Sequence, residues 1–267
     1  MSMAIVIVKA VLFFAWCAVM VPLQIILMML HRGQGSYVLP HIWLKGRLLK
    51  VFGLKVIVEG QPLHNKQTVF VCNHISYLDI PVLGSVLKAS FIAKREVASW
   101  PVFGFLSRMQ QTAFISRSRN DAQREKNALS NMLDEGKSLI LFAEGTSTGG
   151  TTVAPFKSSL FSMTLDDNRH DLMIQPVTLR IEQVNGHTAD TQDIRDLYAW
   201  HGDMTMPPHL KAFTGGRGAV IRVIFHAPMD PKTFSDRKVM ADQCHAAVLS
   251  GITAPVSSSI VASVMAA

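Results

Sequence analysis

The strongest chemical suggestion in this sequence is a histidine and an aspartate five residues apart. In Thr68-Val-Phe-Val-Cys-Asn-His-Ile-Ser-Tyr-Leu-Asp79, an apolar, β-branched run gives way to a polar turn holding Asn73 and His74, and then to Asp79. A hydroxyl is a weak nucleophile until a base takes its proton, and histidine titrates near neutrality. A carboxylate on the far ring nitrogen fixes the tautomer and steadies the imidazolium. In one continuous helix, five residues turn through about 140°, so the pair can meet only if the chain bends between them. Ser76 is a good N-cap for a helix starting at Tyr77, which leaves His74 in the turn and Asp79 in the first helical turn. The same residues support a second reading. Ser76-x-x-Asp79 also spells a capping box, in which Asp79 satisfies a backbone N–H and His74 is only a polar turn residue. Spacing alone leaves both open.

Three other places carry chemistry. Glu144 closes an apolar strand just before a Gly-rich loop and reads either as a ligand-binding carboxylate or as a turn residue. Arg117 offers a fork of donors suited to an anionic headgroup, or is a strand-end surface arginine beside Arg119 and Arg124. Gly145-Thr-Ser-Thr-Gly149 spells Gly-x-Ser-x-Gly, the nucleophile elbow of serine hydrolases. An elbow must run straight into a helix, and Gly150-Thr-Thr-Val-Ala-Pro155 is a poor helix start. The histidines show no His-x-x-x-His or His-Glu-x-x-His spacing, so no metal is expected. Three scattered cysteines make neither a disulfide framework nor a Cys-x-x-Cys site.

The elements that must position these residues alternate. Strands are expected at Val56–Val58, Thr68–Cys72, Phe91–Ala93, Thr112–Ile115, Leu139–Phe142, Met173–Ile181 and Val220–Phe225. Helices are expected at Asn120–Glu135 and Phe234–Leu249. The alternation predicts an α/β fold with a largely buried sheet. Asn185 to Gly218, rich in Gly, Pro, His and Asp, reads as a long surface excursion.

The 267 residues suit one large domain, with only 17% charged and 49% hydrophobic. A typical soluble domain carries about 25% charge, so part of the chain is expected to face lipid. Ala10 to Leu30 holds no charge and would span about 31 Å as a helix, enough for a bilayer core. Pro22 would kink it, which leaves room for a half-inserted hairpin. Arg32, Lys45, Arg47, Lys50 and Lys55 follow, and the positive-inside rule puts the body on the cytoplasmic side; a cell inner membrane, with the catalytic domain on its cytoplasmic face, is the location expected. His41–Phe52, mixing Trp and Leu with Lys and Arg, reads as an interfacial helix. The organisation expected is an anchor and interfacial helix over 1–53, a catalytic domain over 54–255 and an apolar tail over 256–267. The net charge of +7 favours anionic headgroups or acidic carriers as partners. No nucleic-acid-binding motif accompanies it.

Asn-His-x-x-x-x-Asp after a strand resembles the first motif of the PlsC-like glycerolipid (lysophosphatidic acid) acyltransferases. Further matches follow in the same order over about residues 55 to 230. Phe91-Ile-Ala-Lys94 with Pro101-Val-Phe-Gly104 looks like the next segment, and Phe114-Ile-Ser-Arg117 resembles the second block. Phe142-Ala-Glu-Gly-Thr146 resembles the third, and Pro155-Phe-Lys157 and Gln175-Pro-Val177 match later elements. The resemblance implies the glycerolipid acyltransferase fold, a mixed sheet flanked by helices. It implies His74 as general base and Asp79 as its orienting partner, with Asn73, Arg117, Glu144, Gly145 and Thr146 toward the acceptor. Lys94, Ser147 and Lys157 are secondary candidates. An acyl thioester of acyl carrier protein or coenzyme A would be co-substrate, with no metal or other cofactor. Backbone N–H groups in the turn after Asn73 are the candidates to steady the oxyanion.

The sequence departs from the family pattern at four places. Ala143 replaces the third block's proline, and Gln111 and Ser116 replace a glycine and an aspartate of the second. Ser147 stands where the third block has arginine. A charge-assisted bond to phosphate contributes about 1.5–3 kcal/mol, so its loss weakens the case for a phosphate acceptor. Glu-Gly-Thr-Ser, with the loop Tyr198-Ala-Trp-His-Gly-Asp-Met204, resembles the branch that acylates lyso-ornithine lipid, an amino-acid lipid without phosphate. The alternative acceptor is 1-acyl-sn-glycerol-3-phosphate. An esterase built on Ser147 is the distant rival.

Overall fold

The computed structural model describes residues 3–30, 38–44, 48–115, 129–165 and 171–254. Helices α1 (Met3–Leu30), α2 (Val38–Trp43) and α3 (Leu49–Phe52) lead into strands β1 (Leu54–Glu59) and β2 (Thr68–Cys72). Next come α4 (Asp79–Val86), β3 (Ser90–Lys94), α5 (Phe103–Met109) and β4 (Ala113–Ile115). A helical stretch α6 at residues 129–134 precedes β5 (Leu139–Phe142). The chain then forms β6 (Met173–Val184), β7 (His187–Thr188), α7 (Gln192–Arg195), α8 (Met206–Thr214), β8 (Ala219–Phe225) and α9 (Arg237–Thr253).

Among the described residues the strands form one mixed sheet in the order β1-β8-β6-β2-β5-β3-β4, with β7 paired to β6. β2 lies between β5 and β6 and runs parallel to both. β8 runs antiparallel to β6 and parallel to β1. This is the mixed, helix-flanked α/β sheet expected. All five residues of β2 are buried, as a parallel strand with neighbours on both sides requires. The alternation of the pleat sorts them. Phe70 and Cys72 join Leu83, Tyr198 and Phe213 on one face, while Val69 and Val71 join Met240, Cys244 and Val248 of α9 on the other.

The expected strands all form, with ends moved by a few residues. β6 runs on to Val184 because its second half pairs with β8. α9 starts at Arg237 instead of Phe234, because the Asp236 carboxylate accepts from the N–H groups of Lys238 and Val239. The first part of the helix expected from Asn120 lies outside the described residues, as do Arg32, Lys45, Arg47 and the tail over 256–267.

Two expectations need correction. Residues 185–218 are not a mere surface excursion. They carry β7, α7 and α8, and bury Tyr198, Ala199 and Phe213 in the core beside β2. The short run Leu197-Tyr198-Ala199-Trp200 between polar stretches gives no periodicity by which to foresee this. In the stretch from His41 to Phe52, the side chains of Trp43, Leu44, Leu48 and Leu49 are buried within the protein, not laid along an interface. Trp43, Leu44 and Leu48 pack with Met20 and Trp16 of α1.

α1 is one helix through Pro22, so the hairpin does not form. It is long and apolar enough to cross a membrane. One side is docked along the body: Lys9 donates to the Gly216 carbonyl, the Phe13 ring lies 5.9 Å from that of Phe52, and Gln24 donates to the Met109 carbonyl. The other side bares Val8, Val11, Leu12, Phe14, Val19 and Ile26.

Candidate active site

The site forms where β2 and β5 end side by side, at the carboxyl edge of parallel strands where open α/β sheets hold their ligands. β2 stops at Cys72, and the next residue replaces the ladder with its side chain. The Asn73 amide donates to the Leu179 carbonyl at 2.9 Å and accepts from the Leu179 N–H at 2.7 Å. Asn73 is fully buried. The geometry therefore makes it a pin between β2 and β6, not a group facing substrate.

With Asn73 pinned, His74 leaves the sheet plane. Its Nδ1 lies 2.9 Å from Asp79 Oδ2, and its ring stacks on Phe142 with centroids 4.1 Å apart. The imidazole is 22% exposed while the Asp79 side chain has no exposure. Asp79 Oδ2 also accepts from the N–H groups of Ile75 (2.7 Å) and Ser76 (3.0 Å), and Oδ1 accepts from the Tyr198 hydroxyl at 3.0 Å. The two readings of Asp79 therefore coexist: it caps the turn and it holds the imidazole. α4 begins at Asp79, two residues later than expected, because 76–78 form a turn in which Ser76 Oγ accepts only a long 3.3 Å bond from the Leu78 N–H. With the Asp79 carboxylate as acceptor, the ring proton sits on Nδ1, which leaves the Nε2 lone pair free, as a base requires. Cys72, directly beneath, is no rival nucleophile: burial, and then the charge of Asp79, push its thiol well up.

The chain after β5 wraps this turn. Glu144 accepts from the His74 N–H through Oε1 and from the Ala154 N–H through Oε2, both at 2.6 Å. It is 2% exposed. Both carboxylate oxygens are thus engaged with backbone, which makes Glu144 a brace under His74. Burial pushes its carboxyl up to about 7; the two backbone N–H bonds and His74 pull in the opposite direction. Gly145 has φ of 68°, and a Cβ there would lie 2.4 Å from Lys157 Nζ. The left-handed φ is what calls for glycine, since the flexible Lys157 side chain could move aside. The Lys157 ammonium thus lies against the loop in which Ser147 replaces an arginine. Thr148 donates its N–H to the His74 carbonyl at 2.9 Å. Thr146 is exposed and Ser147 half-buried between them.

The fold thus gathers Asn73, His74, Asp79, Glu144, Gly145, Thr146, Ser147 and Lys157. Lys94 ends β3 at the surface, farther along the same edge of the sheet. Arg117 lies outside the described residues. The N–H groups of His74, Ile75 and Ser76 are all taken, by Glu144 and Asp79. The turn after Asn73 therefore does not supply the expected oxyanion donors. The elbow also fails to form: irregular backbone follows Ser147 until a 3₁₀ turn at Ser158, with no helix behind the serine. Among the described residues no group of three or more His, Cys, Asp or Glu side chains is placed to hold a metal ion. The residue missed by spacing is Tyr198, which lies 119 positions from the carboxylate it bonds.

Two outcomes follow from these bonds. Asn73→Ala leaves two buried backbone groups of Leu179 unpaired, and should cost about 2–4 kcal/mol in urea unfolding of the detergent-solubilised protein. An unchanged stability would show that Asn73 is not the pin. For Glu144, the folded protein keeps a proton that the unfolded chain loses near 4.5. Its contribution to stability therefore falls as pH rises from 4.5 to about 7, and the loss is complete above that range. Glu144→Gln does not titrate, but its amide N–H must face a backbone donor, so it is less stable than wild type at about pH 5. The gap between the two unfolding midpoints should narrow toward about pH 8. A gap that widens instead would mean that the fold favours the carboxylate.

Comparisons with known proteins identify the family. The profile of the acyltransferase family matches residues 55–180. A lyso-ornithine lipid O-acyltransferase of Rhodobacter capsulatus is 38% identical over 76% of this chain and 71% of its own length. A 1-acyl-sn-glycerol-3-phosphate acyltransferase of Neisseria meningitidis is 32% identical over 68% of each chain. In structure the chain is similar to the 1-acyl-sn-glycerophosphate acyltransferase PlsC of Thermotoga maritima, with a TM-score of 0.67 over 93% of both chains at 18% identity. The His74–Asp79 turn at the ends of two parallel strands, the brace at Glu144 and these likenesses have one reading: the chain belongs to the acyltransferase family.

Proposed function

We propose that this protein transfers a fatty acyl group from an acyl thioester to the free hydroxyl of a monoacylated lipid, with lyso-ornithine lipid as acceptor. The observation that carries the chemistry is the 2.9 Å contact between His74 Nδ1 and the fully buried Asp79, with Nε2 left for the acceptor hydroxyl. His74 takes the hydroxyl proton as the oxygen attacks the thioester carbonyl. The tetrahedral intermediate expels the thiolate, which leaves with that proton. The oxyanion is steadied from the loop after β5, where the N–H groups of Thr146 and Ser147 have no partner among the described residues. Neither a metal nor a redox cofactor is needed for these steps. The donor is an acyl carrier protein or coenzyme A thioester, either of which brings phosphate or acidic surface to a chain of net charge +7.

Ser147 supports the phosphate-free acceptor, as does the likeness to lyso-ornithine lipid enzymes. The second acceptor, 1-acyl-sn-glycerol-3-phosphate, is favoured by Lys157 Nζ against Gly145 and by Arg117. The bare face of α1 supports membrane association, with the body held at the surface by the helix docked along it. We place the protein at the bacterial inner membrane, facing the cytoplasm, on the basic residues that follow α1.

In detergent, with an acyl thioester and each lysolipid, His74→Ala should lose about 10²–10⁴-fold in transfer while Ser147→Ala keeps most of it. The reverse pattern would sink the acyltransferase reading in favour of the esterase. A strong preference for the phosphate lipid would refute the acceptor proposed. In cell fractionation the protein should stay in the membrane pellet and resist protease added to spheroplasts. Recovery in the soluble fraction, or cleavage from outside, would overturn the location.

A further inference from the structure

The fourth donor on Asp79 comes from a part of the chain that sequence reasoning placed at the surface. Tyr198 is fully buried, its ring meets Phe213 edge-on at 6.0 Å, and its hydroxyl donates to Asp79 Oδ1 at 3.0 Å. Two neighbouring contacts hold the segment against the site. Trp200 donates its N–H to the Ile75 carbonyl at 2.9 Å, and Gln192 Nε2 lies 3.3 Å from the Gly149 carbonyl. The strap from α7 to Trp200 therefore touches both the turn after β2 and the loop after β5.

We propose that Tyr198 is a positioning residue of the dyad, whose hydroxyl completes the donor shell of Asp79 and sets how strongly that carboxylate holds the His74 imidazolium. Oδ2 already serves His74, Ile75 and Ser76, so Oδ1 depends on Tyr198. Burial, and then the charge of Asp79, push the phenol well up, which keeps it protonated and a donor. Without the hydroxyl, Oδ1 is a buried acceptor with no donor. The carboxylate then attracts the imidazolium more strongly, and the orientation of the ring is less well determined. The titratable groups around the pair are Cys72 at the end of β2, Tyr77 in the turn, His209 of α8 behind Tyr77, and Glu144 after β5. Glu144 titrates in wild type and variant alike, so the difference between their pH profiles reports on Tyr198.

The inference rests on the acyl-transfer reading and is tested in the same assay. Tyr198→Phe should lower kcat by roughly 10- to 100-fold, leave KM for the lysolipid within about threefold, and move the acid limb of kcat/KM to higher pH. Tyr198→3-fluorotyrosine, a stronger donor of nearly the same size, should move that limb to lower pH. Phe213→Leu, which disturbs only the packing of the ring, should lower the unfolding midpoint and leave the limb in place. A Tyr198→Phe enzyme with the wild-type limb and kcat within about twofold overturns the inference, as does a fluorotyrosine limb that moves the same way as the Phe variant. Wild-type protein with no transfer to any lysolipid overturns the proposed function and this inference together.

Discussion

A carboxylate with no exposed surface needs donors to replace the water it has lost, and the penalty otherwise is several kcal/mol. Asp79 is such a group, and the site depends on how its four donors are supplied. Two are backbone N–H groups of the turn it caps. One is the imidazole it orients. The last is a phenol from a distant strap. Each requirement constrains a different piece of chain. The turn must be tight, His74 must face back toward α4, and residues 192–200 must close over β2.

That closure needs the sheet to end where it does. A strand that continued past Cys72 would keep His74 in the pleat, with its ring on one face of the sheet. Asn73 ends the strand without leaving it unpaired, because its side chain meets both backbone groups of Leu179. Glu144 does the matching work from β5 by holding the His74 N–H. Both are polar, buried and bound to main chain, so their place in the site is to hold His74 instead of touching the acceptor. Less buried side chains beside them, Thr146 and Ser147, come from the loop after β5.

The same loop bears on the acceptor. A phosphate needs fixed cations, and the position expected to hold an arginine holds Ser147. Lys157 lies against Gly145, but as a flexible point charge it cannot present a planar fork of donors. A headgroup without phosphate asks less of this corner. α1 has one face docked on the body and the other bare.

Much of this was legible in the residues themselves. Apolar, β-branched runs of three to nine residues located the strands within a few positions, because burial leaves a local signature. The order of the blocks around His74 and Glu144 indicated the chemistry through its resemblance to a known family. Local patterns stop at the reach of a turn or a helical repeat. They held the capping and dyad readings of Asp79 in balance, and only the fold showed that one carboxylate does both. They left Glu144 open between a ligand and a turn residue, and the family resemblance turned it toward the acceptor, though its two oxygens are spent on backbone amides 70 residues before it and ten after. Tyr198 was visible as a letter in an unusual loop, but nothing in its neighbours says that it packs beneath the dyad. A strand shows its burial in its own composition, whereas a hydrogen bond across 119 residues exists only once the sheet has placed both partners at one edge.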